Sequence, residues 1–600
     1  MIDALRKILD LLDARERRRF WLLMVLLIVM GVVNTAGVAS IMPFLAVLSD
    51  PSVVERNAWL ARAYSLSGAA EPFDFLIWLG IGTTLAYIAG LAFKAGVTWA
   101  LMRFSQLRLY TLSKRVFDGY LARPYPWFLN RHSANLSRNV LSEVGLVVGR
   151  VLTPLLGALS NGAVVIFLLG LLIIVDPLIT LFVAALLGGG YALVFLYVRR
   201  KMTELGQIRV LADSERYKIT QESLAGIKEV KVMGLEASFS SRFDGPALRV
   251  AEISALNGAL NQIPRYLLEA LAFGGMMVVV LVLAYLRRGD LATILPIVGV
   301  YALAGSRLAP ALQEVYRALT DVRFGKPALD GLYSDLTSAP NLPMKSMCFE
   351  PIHVKTRLQL SNARFAYPGA ARHALDGLDI EIAANSTVGL VGGTGAGKTT
   401  VVDVIMGLLE LQSGEILVDD RSIRTDAERR AWRQSIGYVP QHIFLTDGSI
   451  ASNIAFGMKD DEVDLASVER AARMAQLHDF VMEELPDGYA THVGDRGVRL
   501  SGGQRQRIGI ARALYHDPDV LVLDEATSAL DNVTERAVME AVQALDGKKT
   551  VVIIAHRLTT VTACDQIFLL EGGRVSASGK YAELLESNME FRNMVLGEAA

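Results

Sequence analysis

The chain has 600 residues, 52% of them hydrophobic, and its 60 basic residues almost balance its 61 acidic ones. This length predicts more than one domain, and the near-zero net charge gives no reason to expect a nucleic-acid partner. The two cysteines, Cys348 and Cys564, indicate neither a disulfide framework nor a cysteine metal site.

The first 320 residues hold apolar stretches that are long enough to cross a bilayer as helices. We count six, near 20–48, 75–103, 150–175, 177–198, 264–286 and 291–312. The turn Asp176-Pro177 separates the third from the fourth, because proline pushes the preceding residue out of the helical region. The first stretch is too long for a signal-peptide core and lacks a cleavage site, so we expect it to remain in the protein.

Basic residues indicate which side of the membrane faces the cytosol. Clusters at 15–19, 103–115 and 199–201 fall on one side if the spans alternate, and basic loops are typical of the cytosolic side. Arg287 and Arg288 oppose this assignment but are outnumbered. We therefore predict cytosolic N- and C-termini, with an N-terminal elbow before the first span.

The predicted fold class is multidomain. An all-α transmembrane domain of six helices covers 1–320, and a linker with Pro340, Pro343 and Pro351 covers 321–356. Strands then alternate with helices over 357–600, which predicts an α/β domain. The two long polar connections contain the segments 124–128 and 221–229, which are either solvated loops or short helices that contact the α/β domain.

A phosphate-binding loop follows the apolar strand 387–391. Residues 392–399 match the pattern G-x-x-x-x-G-K-[ST] and precede a helix. In this motif the backbone N–H groups surround phosphate oxygens, Lys398 reaches the β- and γ-phosphates, and Thr399 binds Mg²⁺. The predicted ATP-binding residues here are Gly392, Gly393, Thr394, Gly395, Ala396, Gly397, Lys398, Thr399 and Thr400.

Two carboxylates end a second apolar strand, 520–523. Asp524 is placed to hold Mg²⁺ through water, and Glu525 to polarise the water that attacks the γ-phosphate. A strand that merely ends in solvated acids is the alternative. The phosphate loop upstream favours the catalytic interpretation.

The segment LSGGQ, residues 500–504, lies between these two motifs and resembles the signature of ABC transporters. The resemblance covers the whole C-terminal domain. It implies that Tyr367 stacks on adenine, that Gln441 binds Mg²⁺ and senses the γ-phosphate, and that His556 contacts the γ-phosphate as a switch. It also implies that Ser501, Gly502, Gly503 and Gln504 act on the nucleotide held by a partner subunit, with Asp531 in a loop at the dimer interface.

One such domain cannot complete an ATP site alone, so the resemblance implies a dimer that uses ATP and Mg²⁺. Every catalytic element is intact, whereas unlike subunits often carry one degraded site. We therefore expect a homodimer rather than a heterodimer.

The membrane half resembles the bacterial PglK-like flippases, which move lipid-linked oligosaccharides. The resemblance rests on GIKEVK at 226–231 followed by MGLE at 233–236, and on IMPF at 41–44. In that subgroup the region after the first span, here 50–73, forms a short external helix.

Lys94 lies inside the second span, where a charge on a lipid-facing helix costs roughly 2.5 to 3.5 kcal/mol. Together with Arg265 and Arg307 it could form a cationic translocation path for a pyrophosphate-linked glycan. Alternatively, Lys94 snorkels, belongs to the helix end, or pairs with Glu269.

The leading hypothesis is an ATP-hydrolysing flippase of lipid-linked oligosaccharide, from the inner to the outer leaflet of a bacterial cytoplasmic membrane. Its partners are a second copy of the chain, membrane lipid and a lipid-linked or amphipathic substrate. An exporter of other lipids, peptides or hydrophobic drugs is the alternative. A membrane-tethered ATPase without transport is less compatible with six spans, since a tether needs one.

Overall fold

The computed structural model describes residues 1–49, 51–68, 71–286, 291–338, 349–494, 497–525, 532–543, 545, 547–555 and 557–598. The chain divides into two compact units, residues 1–123 with 127–344 and residues 124–126 with 345–600.

The N-terminal part of the chain is helical. Its helices are α1 Ile2–Leu11, α2 Ala14–Ala39, α3 Ile41–Ser49, α4 Val53–Arg56, α5 Ala58–Ser67, α6 Pro72–Leu121, α7 Tyr125–Leu129, α8 Ser133–Arg138, α9 Val144–Val147, α10 Thr153–Val175, α11 Pro177–Ala225, α12 Ile227–Val232, α13 Glu236–Leu286 and α14 Leu291–Thr337. Two π-helical turns, Asn139–Glu143 and Val148–Leu152, join α8, α9 and α10 into one helical path. Helix α5 falls in the segment predicted to hold a short external helix.

Four helices are much longer than a bilayer requires. Helices α6, α11, α13 and α14 contain 50, 49, 51 and 47 residues. At about 1.5 Å per residue each reaches roughly 70 Å or more, over twice the thickness of a bilayer core. The polar connections between the predicted spans are therefore largely helical. Residues 321–337, predicted as linker, belong to α14, because helical periodicity continues until residue 337.

Within the described residues, five helical stretches are long and apolar enough to cross a membrane: Ala14–Leu48, Phe73–Leu121, Ser133–Val175, Pro177–Ala225 and Glu236–Val282. Each overlaps one of the first five predicted spans and most extend well beyond it. The sixth, 291–312, falls on α14 and stays a prediction.

The predicted break between the third and fourth spans is confirmed. Helix α10 ends at Val175 and α11 begins at Pro177. The side chain of Asp176 accepts hydrogen bonds from the N–H groups of Leu178 and Ile179. These bonds satisfy two of the N–H groups that a helix start leaves without a partner.

One buried ion pair and one partly exposed pair connect the long helices to the π-helical turns. Arg209 of α11 donates to both oxygens of Glu143, at 2.7 and 2.8 Å, and both side chains are buried. Arg150 donates to Asp321 of α14 at 2.7 Å, and Asn261 of α13 donates to the same carboxylate at 3.1 Å. Breaking such a buried pair is costly, since the remaining charge stays out of water.

The C-terminal unit contains two sheets and the helices that cover them. Its strands are β1 Arg357–Phe365, β2 Leu375–Ala383, β3 Thr387–Val391, β4 Ser413–Val418, β5 Arg421–Ser422, β6 Ile436–Val439, β7 Val520–Asp524, β8 Thr550–Ile554, β9 Gln566–Glu571 and β10 Arg574–Gly579. Its helices are α15 Lys398–Ile405, α16 Asp426–Arg433, α17 Ile450–Ile454, α18 Leu465–Met474, α19 His478–Glu483, α20 Gly502–Leu514, α21 Asn532–Gln543, α22 Tyr581–Ser587 and α23 Met589–Glu598.

The larger sheet has the strand order β10-β9-β3-β8-β7-β6, and all its pairings are parallel except β9 with β10. Strands β3, β7 and β8 are almost wholly buried and strongly apolar, as expected of parallel strands covered on both faces. The smaller sheet is antiparallel, in the order β2-β1-β4-β5. Because β3 and β7 are parallel members of one sheet, their carboxyl ends open at the same edge.

Candidate functional site

The phosphate loop turns from the end of β3 into the start of α15. Gly392, Gly395 and Gly397 have φ angles of 148°, 81° and 103°, a region that glycine adopts without strain. At Gly397 a Cβ atom would lie 2.7 Å from the carbonyl oxygen of Ala374, so the backbone leaves no room for a side chain. At Gly393 and Gly395 nothing lies within 4 Å of an added Cβ. At Gly392 an added Cβ would likewise collide with the carbonyl oxygen of Leu570, so the loop is crowded at Gly392 and Gly397 and open at Gly393 and Gly395.

Lys398 is buried and bends back over the loop. Its Nζ donates to the carbonyl oxygens of Gly392 and Gly393, at 2.6 and 3.2 Å. Burial lowers the pKa of Lys398, and the negative charge of Glu525 opposes that shift. The ammonium group thus bonds to two carbonyl groups of the phosphate loop, and its pKa also depends on the charge of the predicted catalytic residue Glu525.

The two carboxylates at the end of β7 have different surroundings. Asp524 accepts a hydrogen bond from the hydroxyl of Tyr438, at 3.3 Å. Glu525 has a φ of 49°, unusual for a residue with a side chain. Its Oε2 accepts from Nε2 of Gln441 at 2.5 Å. The structure therefore brings together two of the predicted catalytic residues, Gln441 and Glu525.

Two further residues at this site were not among the sequence predictions. Burial, and then the charge of Asp524, raise the pKa of Tyr438. Asp403, only 8% exposed on α15, has its pKa raised to about 6, mainly by burial and further by Asp524. A signal for Asp403 was present, because it is the one acidic residue in the apolar run 401–405.

Tyr367 is half-buried just after β1. Its ring packs edge-on against Phe365, with centroids 5.0 Å apart, and its hydroxyl lies 3.3 Å from that of Thr400. Thr399, by contrast, is exposed at the start of α15. Thr400 is therefore packed inside the unit, whereas its neighbour Thr399 is accessible from solvent.

The signature segment begins α20. The hydroxyl of Ser501 accepts from the backbone N–H of Gln504 at 3.2 Å, and the side chain of Gln504 accepts from the N–H of Ser501 at 2.8 Å. This capping box fixes the helix start. The N–H groups of a helix start favour an anion. The remaining predicted residues of the site, Asp531 and His556, lie outside the described residues.

The cationic residues predicted for a translocation path have unequal surroundings. Arg265 is paired with Glu269 at 2.6 Å, so Glu269, considered as a partner for Lys94, binds Arg265 instead. Arg307 lies over the ring of Tyr87, 5.2 Å from its centroid. Lys94, partly buried, lies seven residues after Tyr87 on α6, which places both on one helix face about 10 Å apart.

The residues present fit a bound nucleotide triphosphate. The loop presents a glycine backbone, a lysine ammonium group and a helix start, all of which favour phosphate. No group of three or more histidine, cysteine, aspartate or glutamate side chains in the described part of the chain could hold a metal ion by itself.

Two family models match the chain: the ABC transporter transmembrane region over residues 20–304 and the ABC transporter model over residues 375–528. The ATP-dependent lipid A-core flippase of Cupriavidus pinatubonensis is 34% identical over 523 residues, 84% of this chain and 85% of that protein. The chain belongs to the ABC transporter family. It binds and hydrolyses ATP and couples hydrolysis to transport across the membrane that its helices span.

Other relatives of this ABC transporter bear the same name. The ATP-dependent lipid A-core flippase of Ralstonia nicotianae is 33% identical and that of Pseudomonas putida 28%, over 84% and 91% of this chain and 84% and 88% of those proteins. The structure of a bacterial Atm1-family ABC exporter with ATP bound aligns with a TM-score of 0.79 at 24% identity, and the match covers 98% of this chain and all of that one. The exporter fold predicted from the sequence is confirmed.

Proposed function

We propose that this ABC transporter is a homodimeric flippase of the bacterial cytoplasmic membrane. Its cargo would be an amphipathic lipid with an anionic saccharide headgroup, moved from the inner to the outer leaflet. The observation that carries the proposal is the hydrogen bond between Gln441 and Glu525 in the unit that holds the phosphate loop. The chain is also 34% identical to a protein named as a lipid flippase.

The residues of the site divide the chemistry of hydrolysis between them. The exposed hydroxyl of Thr399, the side-chain oxygen of Gln441 and, through water, Asp524 would hold Mg²⁺. Glu525 would accept a proton from the attacking water. Gln441 is already bonded to Glu525, so its amide can report γ-phosphate occupancy to the base. The assigned roles of Asp531 and His556 stay predictions.

A second copy of the chain would complete each ATP site. The capped start of α20 presents Gly502 and Gly503 N–H groups that we assign to the nucleotide of the partner. The phosphate loop, Gln441 and Glu525 are all intact in this chain. Two identical chains would therefore suffice for both ATP sites, and a subunit of a different sequence is not needed. The segments near Trp127 and Gly226 would transmit closure of the two nucleotide-binding domains to the membrane helices.

The cargo assignment rests on charge within the membrane half. A positive charge inside a span marks a substrate path by default, because its burial against lipid is costly. Lys94 and the ring-stacked Arg307 are the favoured contacts for an anionic headgroup, whereas Arg265 is balanced by Glu269. The relatives are named for a lipid A-core cargo, which favours a saccharide lipid over a peptide or a drug.

The test is a flipping assay in proteoliposomes that contain the full-length chain. Lipid-linked oligosaccharide, lipid A-core, a hydrophobic peptide and a hydrophobic drug are offered in turn, with the Glu525→Gln variant as the inactive control. We expect ATP-dependent movement of a saccharide lipid and stimulation of ATPase activity by it. Transport of peptide or drug alone would favour the alternative exporter, and ATP hydrolysis without movement of any cargo would refute the proposal.

A further inference from the structure

Helix α2 carries an exposed apolar stripe on one face. Leu22, Val25, Leu26 and Val29 are 66%, 59%, 39% and 41% exposed. Their spacing of three and four residues puts them on one side of the helix. In a helix that crosses a membrane, such a stripe faces the acyl chains of the lipid.

The same stripe continues toward the start of α2 as arginine. Arg15, Arg18 and Arg19 precede Leu22 with the same spacing, and all three are exposed. No carboxylate of the described residues lies within ion-pair distance of these three guanidinium groups. The positive end of the helix dipole disfavours cations at this end. Neither an ion pair nor the helix dipole therefore stabilises the positive charge of these three arginines.

Two charged residues next to these arginines, Glu16 and Arg17, are bonded to other parts of the protein. Glu16 is buried on the other side of α2 and pairs with Arg108 of α6. Arg17 donates to the carbonyl oxygen of Leu9 at 2.9 Å, at the end of α1. These contacts hold α2 in place within the protein, whereas Arg15, Arg18 and Arg19 point away from it.

Helix α6 adds a fourth arginine at a matching depth. Two contacts set the register of α2 against α6: the Glu16–Arg108 pair, and the rings of Phe20 and Phe104, whose centroids are 6.4 Å apart. They show that the two helices run antiparallel. This register puts Arg103 beside Trp21. Arg103 is exposed and lies over the ring of the neighbouring residue Trp99, 5.1 Å from its centroid.

Two exposed tryptophans mark this level as the membrane boundary. Trp21 and Trp99 are 55% and 62% exposed, and tryptophan is enriched where acyl chains meet headgroups. Along α2, Arg19 and Arg18 lie about 3 to 5 Å beyond Trp21 and Arg15 about 9 Å beyond it. That is the depth of lipid phosphate groups, since the headgroup layer adds roughly 5 to 8 Å to each side of the hydrocarbon core.

We infer that Arg15, Arg18, Arg19 and Arg103 form a binding surface for the phosphate groups of anionic phospholipids, here named the basic surface. A guanidinium group binds phosphate through two parallel hydrogen bonds, and basic clusters beside membrane helices attract anionic leaflets. A phospholipid is the occupant because the basic surface continues into an acyl-facing stripe, which a free anion could not use. This inference does not rest on the cargo of the transporter.

The experiment uses the full-length chain in bilayers with spin-labelled phosphatidylglycerol or phosphatidylcholine. Electron paramagnetic resonance then gives the association of each lipid with the protein, without ATP turnover. For the native chain we expect phosphatidylglycerol to be preferred. The variant Arg15→Gln/Arg18→Gln/Arg19→Gln should lose at least about five-fold of that preference. The corresponding triple lysine variant should keep most of it, since the charge remains.

A matched control removes three exposed basic residues of the C-terminal unit instead, by Arg372→Gln/Arg473→Gln/Lys548→Gln. An equal loss in this control, or no loss in the first triple variant, would overturn the inference. Displacement of labelled phosphatidylglycerol by millimolar inorganic phosphate would also overturn it, in favour of a free-anion site. If the triple variant does not fold, Arg18→Gln and Arg103→Gln are measured singly, and each should show a smaller loss in the same direction. Because ATP hydrolysis is not needed, failure here leaves the proposed flippase function intact.

Discussion

Replacement of Asp403 by asparagine should stabilise the C-terminal unit in a pH-dependent way. In the folded unit, burial and the charge of Asp524 raise the pKa of Asp403 from its ordinary value of 3.8 to about 6. Between these two values the folded state binds a proton that the unfolded chain has released. The contribution of this group to stability is therefore greatest at low pH and falls as pH rises toward 6.

The size of the effect follows from the shift. About two pKa units correspond to about 3 kcal/mol, which the native chain loses above pH 6. Asparagine cannot ionise, so Asp403→Asn should raise the free energy of unfolding by up to about 3 kcal/mol at pH 8 and by about half as much at pH 5. For a unit of this size, the larger gain corresponds to an increase of roughly 6 to 12 °C in the melting temperature.

Trp432 offers a local probe for this measurement. It is fully buried, and its Nε1 donates to the carbonyl oxygen of Ile405, the last residue of α15, at 2.6 Å. The full-length protein would be labelled with 5-fluorotryptophan, and the fluorine resonance of Trp432 followed with temperature in the absence of ATP and Mg²⁺. Asp426→Asn is the control, because Asp426 lies on the surface in an ion pair with Arg430. The reasoning would be refuted if Asp403→Asn did not raise the melting temperature at pH 8, or if it raised it equally at pH 5 and pH 8.

Three further predictions concern the catalytic site, the membrane path and helix packing. Glu525→Gln should lower ATP turnover by about 10² to 10⁴-fold while leaving ATP binding intact and trapping a closed dimer, as measured by phosphate release, nucleotide binding and crosslinking. Lys94→Ala should reduce lipid-stimulated ATPase activity more than Arg265→Ala does, because Arg265 is already balanced by Glu269. Gly206→Ala should lower the melting temperature of the membrane unit by an amount corresponding to about 1 to 3 kcal/mol, since an added Cβ would collide with a backbone carbonyl of α14, whereas Gly188→Ala should not.

Each of these outcomes has a result that contradicts it. Normal hydrolysis in Glu525→Gln would remove that residue from its role as base. Equal effects of the Lys94 and Arg265 variants would contradict the distinction drawn from the ion pair. Equal melting temperatures for the two glycine variants would show that α11 and α14 can separate without cost.

The sequence was most informative where a pattern is local. The phosphate loop, the Asp524-Glu525 strand end and the signature segment each occupy a few consecutive residues, and their residue types and spacing are enough to imply their chemistry. The break at Asp176-Pro177 was equally clear, because proline acts on its immediate neighbour. The linker was placed too early for the opposite reason. Helix α14 continues well beyond its apolar stretch, so the composition of the chain changes before the helix ends.

What the sequence alone determined is the family, the order of the two domains and the position of the phosphate-loop motif, because these depend on short motifs and on runs of apolar residues. Tertiary structure decided which distant side chains meet: Gln441 with Glu525, and Arg307 with Tyr87. It also placed Asp403 near the negative charge of Asp524. It also decided that Arg15, Arg18 and Arg19 are exposed and have no ion-pair partner among the described residues. Distances, burial and shifted pKa values arise only when folding brings separate segments together, so a linear pattern does not contain them.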